Sequence, residues 1–228
     1  FESKTTMPDY SKRTVELSSV IGASLLTAAR KIPVPSGNSS IAPQLVSPPS
    51  VKQSVVLWSP ESPNLYKLIT TIENRGKIMD HVETEFGLRT IAFDAENGFL
   101  LNGKPYVIKG TCDHQDHAGV GAAMPDALQY FRVKKLKEMG SNAIRTSHNP
   151  PTPELLEACD RLGMLVMDEN RRVDETPLVM DELRDLVVRD RNHPSVFIWS
   201  LGNEEGNLQA TNAAAQAAAV RLLTPMQA

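Results

Sequence analysis

The second half of this chain repeats one pattern, and the repeat restricts its fold more than any other feature does. Four short apolar runs stand out: Tyr106-Val107-Ile108-Lys109, Asn142-Ala143-Ile144-Arg145, Met164-Leu165-Val166-Met167 and Val196-Phe197-Ile198-Trp199-Ser200-Leu201. The last lacks polar alternation and carries β-branched and aromatic residues, as a strand buried on both faces does. Each run is followed by a segment with helical character, at 125–139, 153–162, 178–189 and 207–223. In the first, Leu128, Phe131, Val133, Leu136 and Met139 fall at broadly helical spacing, and Gly140 can end it. The second opens on Pro153, holds Glu154 and Glu157 early, and meets Gly163 at its end. Strand–helix units with short connections imply a parallel sheet, either open and doubly wound or part of a (β/α)8 barrel.

The first half reads differently. Thr14-Val15-Glu16-Leu17 is a strand candidate, and residues 32–50 are rich in Pro, Ser, Gly and Asn, which predicts loops and extended edges. Val55-Val56-Leu57-Trp58 is a short apolar run, and turn chemistry follows at 59–64. Residues 65–72 carry many β-branched side chains and predict a strand. Asn74-Arg75-Gly76-Lys77 predicts a tight turn, and 77–85 an extended segment leading out of it. Short strands with frequent turns suggest a small β-sandwich. Asn102-Gly103, between Phe99-Leu100-Leu101 and the run at 106–109, predicts a hairpin.

Composition narrows the function classes. The 228 residues carry a formal net charge of only −3. No dense Lys/Arg run or basic stripe points to nucleic acid, and no apolar stretch approaches the length of a membrane span. Cys112 and Cys159 are far apart and form no CxxC or zinc pattern, so they read as two small thiols rather than a disulfide framework. The chain begins with Phe1 and shows no signal-peptide pattern. The expectation is that its start, and its end at Ala228, are cut from a longer polypeptide. The lack of a targeting segment therefore leaves periplasm and cytoplasm both open.

Polar residues gather where the four runs end. Ile108-Lys109 leads into Gly110-Thr111-Cys112-Asp113-His114-Gln115-Asp116-His117, and Ile144 into Arg145-Thr146-Ser147-His148-Asn149. Met167 leads into Asp168-Glu169-Asn170, and Leu201 into Gly202-Asn203-Glu204-Glu205. One polar strand end means little, but four in succession argue for a common polar cavity above a parallel sheet. Amides, carboxylates and imidazoles together suit paired hydrogen bonds to vicinal sugar hydroxyls. A metal at His114-x-x-His117 is the rival reading, but this loop lacks a helical or hairpin scaffold that fixes a ligand count, so no metal and no other cofactor is expected. His193 lies at a helix-to-strand turn, at the end opposite the cavity, and reads as structural. His81 carries no functional signal, and Asp181, Glu182 and Asp185 read as a solvated face.

These residues resemble glycoside hydrolase family 2, particularly its β-galactosidases. The resembling pieces are LWSPESPNLY (57–66), FGLRTI (86–91), LNGKPYVIKG (101–110), HQDHAGVG (114–121), LKEMGSNAIRTSHNPP (136–151), CDRLGMLVMDEN (159–170) and RDRNHPSVFIWSLGNEEG (189–206). They stand in the family's order and at its spacing. The resemblance implies an immunoglobulin-like β-sandwich over residues 1–94, although the stretch before Val51 matches poorly. Over 95–228 it implies the first half of a TIM barrel. It further implies hydrolysis of terminal β-galactosides or related β-glycosides, with retention of configuration.

On that resemblance Glu204 is the acid/base, and Asn203 holds a sugar hydroxyl beside the reacting carbon. Arg145 orients and supports the nucleophile, while His148 and His114 line the sugar pocket. Glu205 is expected to point elsewhere, because side chains alternate at a strand end. The chain also departs from the family. The family's nucleophile is a Glu on the seventh barrel strand, and neither that strand nor the N-terminal jelly-roll sugar-binding domain is expected within these residues. The Glu and His that hold magnesium in some relatives are replaced by Arg171-Arg172-Val173-Asp174-Glu175, so no metal is carried over. The chain alone is therefore expected to be inactive. Half a barrel with an uncovered edge invites association, including homo-oligomers. Three readings follow. The first is a β-galactosidase carrying the acid/base half of its site, which the Ser-Leu-Gly-Asn-Glu form favours because glucuronidases tend to have Ala at position 202. The others are a β-glucuronidase or β-mannosidase, and a non-catalytic carbohydrate-binding protein.

Overall fold

The computed structural model describes residues 12–19, 30–32, 55–74, 77–204 and 210–224. The chain divides into two compact units, one of Phe1–Val55 and Leu65–Phe86, the other of Val56–Asn64 and Gly87–Ala228. In the first, β1 (Lys12–Ser19), β2 (Arg30–Ile32), β3 (Tyr66–Asn74) and β4 (Lys77–Phe86) form an antiparallel sheet in the order β2-β1-β3-β4. β3 and β4 pair from Tyr66↔Phe86 to Asn74↔Lys77, with one register shift near Ile72. Tyr66 and Phe86 stack across this pair at 5.9 Å between ring centroids. The expected turn residues Arg75 and Gly76, and the loop-rich stretch after Ile32, lie outside the described residues.

The apolar run at 55–58 forms no strand. Trp58 alone is buried, and its indole Nε1 donates to the Asp160 carbonyl at 2.9 Å. A three-stranded antiparallel sheet follows, of β5 (Ile91–Asp94), β6 (Gly98–Leu101) and β7 (Lys104–Pro105). Asn102 and Gly103 join β6 to β7 with φ of 53° and 73°, the left-handed pair that a tight hairpin demands.

Four parallel strands come next, in the order β11-β10-β9-β8: β8 (Gly110–His114), β9 (Ala143–Ser147), β10 (Leu165–Glu169) and β11 (Val196–Ser200). The helices α1 (Asp126–Glu138), α2 (Pro153–Leu162), α3 (Pro177–Asp190) and α4 (Ala210–Leu223) alternate with them. The predicted first strand at 106–109 is displaced. Val107 and Ile108 are exposed, and the Asn142 side chain clips their backbone, accepting from Lys109 N–H and donating to the Val107 carbonyl. The real strand is the polar Gly110–His114, paired from Gly110↔Ala143 to His114↔Ser147.

The apolar core lies between sheet and helices. Ile144, Val166 and Val196 pack against Val133, Leu155, Leu156 and Cys159. Leu183, Val187 and Val220 form a second cluster, with Trp199 touching both. Burial pushes the Cys159 thiol well above its ordinary pKa, whereas Cys112 is exposed. Side chains alternate along each strand, so if Ile144, Val166 and Trp199 face the helices, then Arg145, Glu169 and Ser200 face the other side. Among the described residues no helix is long and apolar enough to cross a membrane.

Candidate active site

The inward-facing polar residues converge at the carboxyl end of the parallel strands, around Glu169. This carboxylate is the last residue of β10 and is fully buried. Its Oε2 accepts from Arg145 Nε at 2.5 Å and from Ser200 Oγ at 2.7 Å. Its Oε1 lies 2.8 Å from His148 Nδ1, and its backbone N–H donates to Thr146 Oγ1 at 3.0 Å. Burial alone would raise its pKa. The hydrogen bonds from Arg145, Ser200 and His148, with the Arg145 charge, outweigh burial and hold the carboxyl below its usual range. Arg145 is in turn held in its charged form, chiefly by its hydrogen bond to Glu169.

Arg145 also reaches β11's end. Its Nη2 donates to Asn203 Oδ1 at 2.8 Å. A guanidinium has no acceptor, so Asn203 must turn its oxygen toward Arg145 and present its NH2 outward. Glu204 follows directly, exposed and at φ 42°, a left-handed conformation that lifts it out of the strand's regular path. His114, the last residue of β8, is exposed, and its ring meets that of His148 edge-on, 5.2 Å between centroids. Among the described residues the structure therefore gathers Arg145, His148, His114 and Asn203 in one cluster, with Glu204 at its exposed edge. Glu205 lies outside the described residues.

Not every polar strand-end residue faces this cluster. Asp113 turns outward and pairs with Arg132. Burial raises its pKa, with Arg132 opposing. Asp168 also turns outward, into the core, where burial first and Asp190 second raise its pKa well above the ordinary range. His193 Nδ1 lies 2.6 Å from Asp160 Oδ2, at the amino end of the strands. Glu169 and Ser200 are the residues that the strand-end reasoning did not single out. Their signal was present, since both end an apolar run, but Glu169 is told from Asp168 only by which face each one takes.

The fold agrees with what comparison finds. A family model described as "Glycosyl hydrolases family 2, TIM barrel domain" matches residues 94–176 and 172–226, and "Glycosyl hydrolases family 2" matches 12–89. The chain belongs to glycosyl hydrolase family 2. Its fold class is accordingly an immunoglobulin-like β-sandwich domain followed by the first half of a TIM barrel. It is similar to the beta-galactosidase BoGH2A of Bacteroides ovatus, 44% identical over 160 residues, which is 65% of this chain and 19% of that protein. A beta-galactosidase of Enterobacter cloacae is 36% identical over 68% of this chain and 16% of its own length. Among solved structures, a beta-glycosidase from Bacteroides vulgatus superposes with a TM-score of 0.76 at 33% identity, covering 94% of this chain and 28% of that one. The beta-glucuronidase of Bacteroides uniformis gives 0.76 at 30% identity, covering 95% and 28%. The chain thus spans less than a fifth of the length of these two curated relatives.

Proposed function

We propose that this chain carries the acid/base half of the active site of a retaining glycosidase that releases terminal, non-reducing β-D-galactosyl residues. The observation that carries the reading is the Arg145–Asn203 pair at the carboxyl end of β11, which presents Glu204 at the rim of a polar cluster. Glu204 protonates the departing glycosidic oxygen and then takes a proton from the attacking water. A second carboxylate, roughly 5–5.5 Å from it, forms the glycosyl intermediate and is supplied from outside the four strands described. Arg145 supports that carboxylate electrostatically. Asn203, its amide NH2 turned outward, donates to a sugar hydroxyl, and His148 and His114 line the same pocket.

The galactoside reading is supported by Ser200-Leu201-Gly202-Asn203-Glu204 and by relatives named beta-galactosidase. A β-glucuronide is the second reading, favoured by the likeness to a solved beta-glucuronidase. The test is turnover of aryl β-galactoside, β-glucuronide and β-mannoside by the longer polypeptide that contains these residues, with and without Glu204→Gln. The galactoside should turn over fastest, and Glu204→Gln should cut kcat by about 10²–10⁴-fold. Undiminished turnover by the variant would sink the acid/base assignment. Preference for the glucuronide would select the second reading, and retaining hydrolysis by the 228 residues alone would refute an external nucleophile.

A further inference from the structure

The residue that organises the site is the one least exposed to any ligand. Glu169 has no accessible surface, yet its two oxygens contact three side chains, drawn from β9, the loop after it, and β11. An ionised carboxylate only accepts hydrogen bonds. His148 Nδ1, 2.8 Å from Oε1, must therefore carry a proton. Arg145 Nη2 also lies 3.4 Å from that nitrogen, but a guanidinium only donates, so this longer approach is a contact and not a competing hydrogen bond. With Nδ1–H committed to Glu169, Nε2 is the ring atom left for a ligand. The side chain is 29% exposed. In the neutral ring Nε2 is an acceptor.

The second arm runs through Arg145. Glu169 takes Arg145 Nε, which fixes the guanidinium plane and aims Nη2 at Asn203 Oδ1. That bond decides which end of the amide faces outward. One buried group thus sets the polarity of two ligand-facing groups, making one an acceptor and the other a donor. This complementary pair suits a hydroxyl, which offers both.

We propose that Glu169 is the positioning residue of this site, fixing His148 in the Nδ1–H tautomer so that Nε2 accepts from a sugar hydroxyl, and fixing Asn203, through Arg145, as a donor beside Glu204. The sugar ligand rests on the function proposed above; the tautomer does not.

The test reads the tautomer directly. Imidazole ¹⁵N spectra of the intact chain at about pH 8, where an ordinary histidine is neutral, should show His148 as Nδ1–H, its signals assigned by their loss in His148→Asn. Glu169→Gln should move His148 toward Nε2–H or a mixture, and Glu169→Asp, which keeps the carboxylate, should restore much of the original signal. In the longer polypeptide Glu169→Gln should lower kcat on aryl β-galactoside on the order of 10–100-fold, with partial rescue by Glu169→Asp. An Nε2–H tautomer in the unsubstituted chain overturns the proposal, even if Glu169→Gln fails to fold. So does a folded Glu169→Gln whose His148 signals are unchanged. If no β-glycoside is turned over while the tautomer is Nδ1–H and answers to Glu169→Gln, the functional reading fails and the positioning role of Glu169 stands.

Discussion

At each end of the four-stranded parallel sheet a buried carboxylate meets a histidine: Glu169 and His148 at the carboxyl end, Asp160 and His193 at the amino end. The parts are alike and the surroundings are not. At the amino end the carboxylate and its neighbours are partnered largely within the chain. Asp160 Oδ1 accepts the Ser195 N–H at 3.0 Å, and its backbone carbonyl accepts Trp58 Nε1. Arg89 donates to the carbonyls of Pro194 and Val196, and Lys137 to those of Pro60, Leu162 and Gly163. Burial pulls the Arg89 pKa down to about 10, with Asp160 opposing. Among the described residues these donors are spent on backbone carbonyls and on the Asp160 carboxylate, although the buried Ser195 Oγ has no hydrogen-bond partner. At the carboxyl end the network closes only beneath the surface. Glu169 is satisfied, but the outer atoms of His148, His114, Asn203 and Glu204 face the exposed side. A closed network serves stability, and an open one leaves hydrogen-bonding capacity for a ligand, as the two ends of barrel strands generally divide the work.

The widest separation between the ends should come from Asp160→Ala and Asn203→Ala. Removing Asp160 strands His193 and the Ser195 N–H in a buried setting, which costs about 3–5 kcal/mol. Asn203 is half-buried, and its loss should cost under about 1 kcal/mol while still lowering glycoside turnover. Denaturant melts of the two variants check this. Equal losses of stability would erase the distinction between closed and open ends.

A smaller effect is expected where α2 turns into β10. Gly163 sits at φ 75°, and a Cβ there would lie 2.4 Å from the Pro60 carbonyl oxygen. That carbonyl is also one of the three held by Lys137 Nζ. Gly163→Ala combines a left-handed strain with a backbone clash and should cost more than about 1 kcal/mol. The melting temperature should fall with the His148 tautomer unchanged, since the clash lies at the amino end. A shifted tautomer would show that the two networks are coupled through β10.

Local signals carried most of the helical half. Gly140 and Gly163 end their helices at positive φ, Pro153 opens α2, and Asn102-Gly103 makes the hairpin. Chemistry of this kind is written in one or two residues, and so it is readable without neighbours. β8 was not readable in that way. Its inward residues serve the site, and its outward Asp113 pairs with Arg132, so no apolar alternation marks Gly110–His114 as a strand. The apolar run just before it is the part left exposed. The cluster was legible as a set, because polar residues end all four runs, but its centre was not. Asp168 and Glu169 look equivalent in sequence. Strand pairing sends one to the core beside Asp190 and the other to Arg145, and pairing partners lie tens of residues away. Trp58 shows the same limit, since its hydrogen-bond partner is 102 residues distant.

The gentlest discriminator between the two ends is pH, because their carboxylate–histidine pairs are shifted in opposite senses. For Glu169 the folded carboxyl lies below its ordinary 4.5, since burial is outweighed by its donors. Its contribution to stability is therefore fully present above about pH 4.5 and is lost as pH falls through the lowered folded value. For His193 burial opposes protonation, but the hydrogen bond and charge of Asp160, with lesser help from Asp190 and Glu157, raise the folded pKa above the ordinary 6.5. Its contribution is fully present below about pH 6.5 and is lost as pH rises through the raised value. Melting temperature against pH should fall on both sides, the acid arm reporting the carboxyl end and the alkaline arm the amino end. Glu169→Gln should flatten the acid arm and leave the alkaline one, and Asp160→Asn should flatten the alkaline arm. If Glu169→Gln flattens the alkaline arm, the pairs are not independent, and the sheet transmits protonation from one end to the other.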